Sequence, residues 1–298
     1  MKNDVIIIGG SYAGLSAAMS LGRAIRNVVI IENGKPCNAQ TPYSHNFLTR
    51  DGSKPAEIAA LGKEQVMKYP TVRFVTGKAV ALNGEDLNFQ VVLEDGQVFF
   101  SKKILFATGL KDLIPDIKGF AACWGISVIH CPYCHGYEYK GQDTGVLMNG
   151  AGVFEVARMI RNWTDRLSVF TNGPATLEID QLKKLSEMNI QVEEREIDRF
   201  DHQNGILENI VFKDGSGTRL DALYARPPFE QHCSILKDLG CKIAGTGHVE
   251  VDEFQKSSIP GIYAAGDSTT LMRSVAAAVY TGNKAGAMIN HELVAEGQ

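Results

Sequence analysis

The chain has 298 residues, of which 44% are apolar and 21% charged, and its formal net charge at pH 7 is −4. This length allows two globular domains with their own cores, and the mildly negative charge excludes a broad basic surface for nucleic acid. No apolar stretch is long enough to cross a bilayer, so we expect neither nucleic acid nor a membrane as a partner. The N-terminus passes directly into an apolar strand without a signal-peptide pattern, which predicts a cytoplasmic protein.

The first predicted elements form a nucleotide-binding pattern. An apolar strand at 5–8 is followed by a Gly-Gly-Ser-Tyr-Ala-Gly turn, a helix at 15–22, and a second strand at 28–31. In such a unit the turn brings backbone N–H groups close to a pyrophosphate, and an acid about 20 residues further on binds ribose hydroxyls. The pattern therefore predicts a dinucleotide site made of Gly9, Gly10, Ser11, Tyr12, Ala13, Gly14 and Glu32.

The next segments predict a helix, hairpins and a second unit of the same kind. The helix is expected at 56–67, and the short strands around the turn sequences Asn83-Gly84 and Asp95-Gly96 predict hairpins. A buried strand at 103–107 ends in Ala-Thr-Gly, and a link with proline and glycine then predicts a domain boundary. Beyond it the strand, turn, helix, strand order recurs at 145–148, 149–152, 153–162 and 167–170. The chain thus contains the same unit twice.

The most informative motif lies between these two units and reads His130-Cys131-Pro132-Tyr133-Cys134-His135. Two thiols separated by two residues can close and reopen a disulfide, and the flanking histidines can carry a proton or favour a thiolate. The same spacing is also half a zinc site, and the two histidines add further possible ligands. From the motif alone, a redox pair, a metal site and unreactive thiols all remain open.

Near the C-terminus, residues 261–267 read Gly-Ile-Tyr-Ala-Ala-Gly-Asp, and a long helix is expected at 274–293. The order of glycine turn, Ala-Thr-Gly, Cys-x-x-Cys and Ala-Ala-Gly-Asp resembles the low-molecular-weight thioredoxin reductase family of FAD-dependent disulfide oxidoreductases over nearly the whole chain. The resemblance implies an α/β fold with two Rossmann-like, three-layer ββα dinucleotide-binding domains. It places a split FAD domain at 1–112 and 244–298, around a central NAD(P)H-type domain at 113–243 that carries the dithiol. It also implies a homodimer.

The resemblance further implies which residues bind FAD, whereas no metal site is expected. Glu32 corresponds to the ribose acid, Asn46 to a residue beside the flavin, and Asp267 to the ribityl-binding aspartate. The remaining matches are the pyrophosphate turn, the Ala-Thr-Gly contact and the flavin pyrimidine edge, namely Gly9, Gly10, Ser11, Tyr12, Ala13, Gly14, Thr108, Gly109, Gly266, Arg273, Ser274 and Val275.

The central domain departs from the reductase pattern. Met148 stands at the first glycine of the second nucleotide turn, and 171–173 read Thr-Asn-Gly, without an arginine for a 2′-phosphate. The Cys-Pro-Tyr-Cys-His-Gly motif resembles that of the FAD-dependent dithiol oxidases of the gliotoxin and holomycin type. This resemblance implies oxidation of a small dithiol through Cys131 and the flavin-proximal Cys134, with His135 or His130 as base. Oxygen or another compound would be the acceptor, NADPH would not be needed, and the second nucleotide would be either lost or bound weakly as NADH.

Two other functions stay open at this point. The overall architecture and Asn46 favour an NAD(P)H-dependent thioredoxin reductase, whose substrate would be a thioredoxin-like protein disulfide. The His-Cys-x-x-Cys-His cluster alone favours a non-catalytic redox-sensing or zinc-stabilised binding protein.

Overall fold

The computed structural model describes residues 3–297, which form two compact units. The first unit combines the residues up to Ala39, Phe47–Lys111 and the residues from Phe229 onward, and the second comprises Gln40–Asn46 and Asp112–Pro228. The second unit thus ends before the domain boundary expected at 243. The reason is that Phe229–Gln231 pairs with the strand Leu110–Asp112, and Ile235 and Leu236 are buried in a core of the first unit.

The chain combines helices with runs of consecutive strands. Up to residue 112 they are β1 (Asn3–Ile8), α1 (Tyr12–Arg23), β2 (Val28–Glu32), α2 (Pro55–Val66), β3 (Val72–Thr76), β4 (Ala79–Glu85), β5 (Asn88–Leu93), β6 (Val98–Phe106) and β7 (Leu110–Asp112). The second unit continues with α3 (Phe120–Cys123), β8 (Val128–Ile129), α4 (Pro132–His135), β9 (Thr144–Leu147), α5 (Val153–Ile160), β10 (Leu167–Phe170), α6 (Ile179–Glu187), β11 (Gln191–Glu193), β12 (Ile197–Gln203), β13 (Ile206–Phe212), β14 (Gly217–Arg219) and β15 (Ala222–Ala225). The last elements are β16 (Phe229–Gln231), α7 (Ile235–Asp238), β17 (Ile262–Ala264), a 3₁₀ turn (Asp267–Thr269) and α8 (Val275–Glu296).

The first unit is built on a seven-stranded sheet in the order β3-β2-β1-β6-β5-β4, in which β17 also pairs with β6. The strands β1, β2, β3, β6 and β17 are parallel, whereas β4 and β5 add an antiparallel hairpin. The Val-Ile-Ile-Ile run of β1 is buried on both faces, as is typical of a central parallel strand. Ile8, Phe106 and Ala264 lie in one register, so three parallel strands end at the same edge of the sheet.

Helices α1 and α8 pack closely on each other in the first unit. A Cβ on Gly282 would lie 2.1 Å from the Ala13 carbonyl oxygen, so only glycine allows this approach. The Ser16 hydroxyl donates to the Val279 carbonyl at 2.7 Å across the same contact. The last helix of the chain therefore completes the layer that the first helix begins, as expected for a split domain.

The second unit has a five-stranded parallel sheet in the order β11-β10-β9-β15-β8 and a separate antiparallel sheet, β12-β13-β14. Helix α5 buries one apolar face at i, i+3, i+4 and i+7, formed by Val153, Val156, Ala157 and Ile160. Strand β8 leads directly into the Cys-x-x-Cys motif. Within residues 3–297, no helix combines the length and apolar character needed to cross a membrane.

A buried lysine organises one end of the first unit. The Lys103 side chain is 0% exposed, and its ammonium lies 2.7 Å from Asp86, 2.8 Å from Glu292 and 2.5 Å from Glu296. The three carboxylates lie close enough to share a cation, and the ammonium contacts each of them. The β4–β5 turn, strand β6 and the end of α8 thus meet at one charge, whose burial requires these partners.

We predict that Lys103→Met lowers the free energy of unfolding by about 3–5 kcal/mol, because it leaves the carboxylates without their cation. Urea unfolding would measure the loss. The control is Lys102→Met, since the neighbouring Lys102 pairs with Asp4 at 3.2 Å on the surface and is 44% exposed. Its loss should stay below about 1 kcal/mol. Equal losses in the two variants would contradict a special role for Lys103.

Candidate active site: a dinucleotide turn and a dithiol loop

The turn between β1 and α1 is tightly folded backbone. Gly9 has a left-handed φ of +105°, and a Cβ on Gly14 would lie 1.9 Å from the Gly9 carbonyl oxygen. Only glycine fits either position. Ser11 stands at the N-cap of α1, but its side chain makes no capping hydrogen bond. The first-turn N–H groups of α1 are therefore not capped by Ser11, and the helix dipole favours an anion beside them.

Two other segments that carry predicted FAD residues reach this turn. A Cβ on Gly9 would lie 2.3 Å from the Ala107 carbonyl oxygen, so Thr108 and Gly109 follow immediately beside the turn. A Cβ on Gly266 would lie 3.0 Å from the Ala13 Cβ, which places Gly266 and Asp267 at the same point. The structure thus brings together three segments far apart in sequence at the carboxyl ends of parallel strands, where α/β folds bind ligands.

Acidic and capping residues surround the turn. The Glu32 carboxylate accepts hydrogen bonds from the N–H of Gly10 and, at 2.6 Å, from that of Gly34. Asp267 lies 3.8 Å from the Arg273 guanidinium, and Ser274 caps α8 by accepting the Ala277 N–H at 3.1 Å. These residues fit FAD, because N–H groups at a helix start suit its pyrophosphate and the two acids suit its hydroxyl groups.

Two further predicted FAD residues, Tyr12 and Asn46, have specific surroundings. The Tyr12 hydroxyl donates to the Pro55 carbonyl and accepts from the Asn38 amide, both at 3.2 Å, so this side chain is tied to the chain itself. Burial raises the pKa of Tyr12 and keeps the phenol neutral. Asn46 has a left-handed φ of 58° and belongs to the second unit, so the structure does not group it with the other predicted FAD residues.

The dithiol loop follows β8 and lies in the second unit. Cys131 has extended backbone and forms the N-cap of the short helix α4, whose first residue is Pro132. Proline suits that position because its fixed φ is helical and its missing N–H is not needed. One helical turn then brings the sulfur atoms of Cys131 and Cys134 to 2.8 Å from each other. The two thiols are placed to form and open a disulfide.

The surroundings of Cys131 favour its thiolate. The Cys134 thiol, the backbone N–H groups of Cys134 and Tyr133, and the charge of Arg226 outweigh burial and lower the pKa of Cys131 to about 7. A thiol with this pKa is about half ionised at neutral pH, whereas an unperturbed cysteine with a pKa of about 8.5 is a few per cent ionised. Cys131 is therefore both an effective nucleophile and a good leaving group.

The histidines differ in their surroundings. Burial lowers the pKa of His135, the charge of His45 lowers it further, and Glu138 acts in the opposite direction. His130 lies beside Trp124, with 6.3 Å between ring centroids. His45 and Glu138 are functional candidates that sequence reasoning missed, and their side chains approach to 3.5 Å. The only sequence signal was that His45 precedes Asn46, because no local pattern connects residue 45 with residues 135–138.

Comparison with known proteins shows the family of this chain. The family model described as pyridine nucleotide-disulphide oxidoreductase matches residues 3–282. The chain belongs to this family and is a thioredoxin reductase-like, FAD-dependent oxidoreductase that acts on disulfides. The predicted family, enzyme class and FAD cofactor are therefore confirmed.

Individual relatives extend over nearly the whole chain. The thioredoxin reductase tcpT of Claviceps purpurea is 33% identical, with 98% of this chain and 95% of the relative covered. The thioredoxin reductase sirT of Leptosphaeria maculans is 30% identical over 97% and 94%. Among solved structures, an oxidoreductase from Agrobacterium tumefaciens has a TM-score of 0.92 at 34% identity over 99% of both chains. The structure of HlmI has a TM-score of 0.93 at 32% identity, covering 99% of this chain and 94% of its own.

We predict that Gly14→Ala yields protein with little bound flavin, because the added methyl group collides with the Gly9 carbonyl and distorts the turn. The ratio of flavin to protein absorbance after purification measures the effect. Gly62→Ala is the control, since Gly62 lies in α2 and its Cβ would meet only the Leu15 side chain, at 3.2 Å. Full flavin content in Gly14→Ala would show that the turn does not hold the cofactor.

We predict that the alkylation rate of Cys131 by iodoacetamide in reduced protein rises with pH through a midpoint near 7. The rate rises with pH because iodoacetamide reacts with the thiolate, and Cys131 is protonated below its lowered pKa and ionised above it. Arg226→Gln should move the midpoint upward, because a positive charge that favours the thiolate is removed. The control Arg219→Gln should not move it, since Arg219 is 78% exposed and pairs with Asp221. Peptide mass spectrometry would follow each cysteine separately.

Proposed function

We propose that this protein is an FAD-dependent dithiol oxidase, which converts a small dithiol into a disulfide through Cys131 and Cys134. Oxygen or another acceptor receives the electrons, and neither NADPH nor NADH is needed. As the family resemblance implies, the proposal includes a homodimer in the cytoplasm. The observation that carries the proposal is the state of the second nucleotide turn, between β9 and α5.

The second turn is occupied by a side chain of the protein itself. The Asn149 carboxamide oxygen accepts hydrogen bonds from the Gly150 N–H at 3.0 Å, the Thr176 N–H at 2.8 Å and the Thr176 hydroxyl at 3.0 Å. Its amide nitrogen donates to the Pro174 carbonyl at 2.8 Å. In a working dinucleotide site, N–H groups of this turn bind phosphate oxygens, and Asn149 takes one of them, that of Gly150. A phosphate oxygen at the Gly150 N–H would have to displace the Asn149 carboxamide, which three further hydrogen bonds hold in place.

The electrostatics at the end of β10 also disfavour NADPH. The segment 171–176 contains no lysine or arginine. Instead, the Glu194 carboxylate accepts the Ala175 N–H at 3.0 Å, so a negative charge lies where a 2′-phosphate would need a positive one. This charge disfavours NADPH specifically, whereas Asn149 disfavours both dinucleotides.

The proposed reaction exchanges one disulfide for another. A substrate thiolate attacks Cys131, the enzyme S–S bond breaks, and Cys134 leaves as a thiolate that takes up a proton. The second substrate thiolate then attacks the substrate sulfur of the mixed disulfide and expels Cys131, whose low pKa makes it a good leaving group. The substrate is thereby oxidised by two electrons, and the enzyme pair is reduced. FAD, when bound, supplies the two-electron acceptor for the enzyme dithiol.

His135 is the proposed base for this exchange. Its lowered pKa leaves the imidazole neutral at pH 7, and a neutral imidazole can accept the proton of a substrate thiol. It belongs to the same short helix as Cys134, so the proton acceptor and the sulfur chemistry share one rigid element. His130, on the other side of the motif, is the alternative base.

A thioredoxin reductase is the second candidate, and the names of the relatives tcpT and sirT favour it. Its substrate would be a thioredoxin-like protein disulfide, and it would need NAD(P)H at the turn that Asn149 fills. The zinc-stabilised alternative has less support. Within residues 3–297, His130, Cys131, Cys134 and His135 do not bring three ligand atoms within 4.8 Å of one another.

We predict that dithiothreitol bleaches the flavin absorbance of the purified protein under anaerobic conditions and that air restores it, whereas NADPH and NADH leave it unchanged. The spectrum is recorded in separate titrations. Cys134→Ser should abolish the response to dithiothreitol, and Cys37→Ser, which removes an exposed thiol of the first unit, should retain it. Rapid bleaching by NADPH or NADH would refute the proposal in favour of the reductase.

A further inference from the structure

We infer that the His45–Glu138 pair, which lies beside the ring of His135, acts on this proposed base, and that His45 is therefore a positioning residue of the dithiol centre. The inference rests on the proposed role of His135 as base. It assigns a function to a residue 90 positions upstream that belongs to the same compact unit as the dithiol.

The geometry places the three side chains in one group. The His45 Nε2 atom lies 3.5 Å from a Glu138 carboxylate oxygen, and these side chains are only 19% and 36% exposed. The His45 and His135 ring centroids are 6.3 Å apart, with an interplanar angle of 87°, so one ring presents its edge to the other. His45 reaches this position because Gln40–Asn46 packs within the second unit, although the residues on both sides of it belong to the first.

The two members of the pair act on His135 in opposite directions. Protonated His45 disfavours a second positive charge on the His135 ring, whereas the Glu138 carboxylate favours it. Burial is the largest influence and favours the neutral ring, His45 acts in the same direction, and Glu138 opposes them. Without His45, the Glu138 carboxylate would favour the protonated ring more strongly. His45 thus opposes a nearby carboxylate that would otherwise weaken His135 as a base.

Other titratable groups surround the dithiol loop. On α4, β15 and the adjoining segments they are His130, Cys131, Cys134, Tyr139, Tyr224 and Arg226. Burial raises the pKa of Tyr139 and of Tyr224, so both phenols stay neutral through the range in which histidine titrates. Because these groups are unchanged in variants of the pair, a difference between the variants reports on His45 and Glu138.

The test is an NMR titration of the oxidised holoenzyme labelled with ¹³C at the histidine Cε1 position. The chain has seven histidines, and the His135 signal is assigned by its loss in His135→Asn. We expect His45→Gln to raise the pKa of His135 by about 0.5 to 1, and Glu138→Gln to lower it by a similar amount. Glutamine keeps a hydrogen-bonding side chain at either position and removes only the charge. The double variant should return close to the wild-type value.

The control is His202→Gln, which removes another histidine of the second unit, one that accepts the Gly205 N–H at 3.3 Å. It should leave the His135 titration unchanged. Shifts in the same direction for both variants of the pair, or no shift in either, would overturn the inference. The titration needs no turnover, so a holoenzyme that fails to oxidise dithiothreitol would refute the proposed function without affecting this result. If the pH–rate profile for dithiothreitol oxidation shifts in each variant by the same amount as the His135 titration, His135 acts as the base of the proposed reaction.

Discussion

The close packing of helix α1 against backbone on two sides is the constraint on which the first unit depends. Gly14 allows α1 to approach the β1 turn, and Gly282 and Gly286 allow α8 to approach α1 at Ala13 and Ala17. Any larger side chain at these contacts would separate the layers. Helix α1 packs on the β1 turn at one side and on α8 at the other. The glycine turn and the Gly266-Asp267 segment therefore lie at the same edge of the sheet. The FAD site is therefore a product of this packing as much as of its motifs.

The two nucleotide-type turns have a similar order of strand, turn and helix, but their backbone N–H groups have different surroundings. In the first, small residues and an uncapped helix start leave backbone donors that suit a pyrophosphate. In the second, the Asn149 carboxamide accepts the Gly150 N–H and links it to the Thr176 segment. Helix α5 still buries its apolar face on the sheet. The two units thus share their helix and strand arrangement but differ in what contacts the backbone donors of the turn.

Much of this architecture was predictable from the sequence, because its signals are local. The apolar runs of β1 and β2, the glycine turn, and the β9-α5-β10 unit were predicted within one or two residues of their observed bounds. The Asn83-Gly84 sequence was expected to form a hairpin turn, but both residues lie within β4, and the turn falls at Asp86 and Leu87. Asp86 accepts the Leu87 N–H and also contacts the Lys103 ammonium. The turn therefore lies where its aspartate can pair with a lysine that is remote in the sequence.

The site residues that sequence analysis missed share one property, which is that their partners are remote in the chain. His45 stands out only through its contact with Glu138, and Asn149 only through its hydrogen bonds with Thr176 and Pro174. Local motifs identify the residues proposed to carry the chemistry, such as Cys131 and Cys134. They do not identify the neighbours that adjust the charge of those residues, because these neighbours are selected by the folded chain and can come from any segment.

The charge cluster around Lys103 makes one end of the first unit sensitive to acid. Burial would raise the pKa of Glu292, but hydrogen bonds from Lys103, Lys256 and Tyr263 outweigh it and hold that pKa at about 2. Because this pKa is lower in the folded unit than the ordinary value of about 4.3, the stability that Glu292 contributes is fully present above the ordinary value and is lost as the pH falls through about 2. The contact between the end of α8 and strand β6 therefore weakens in acid.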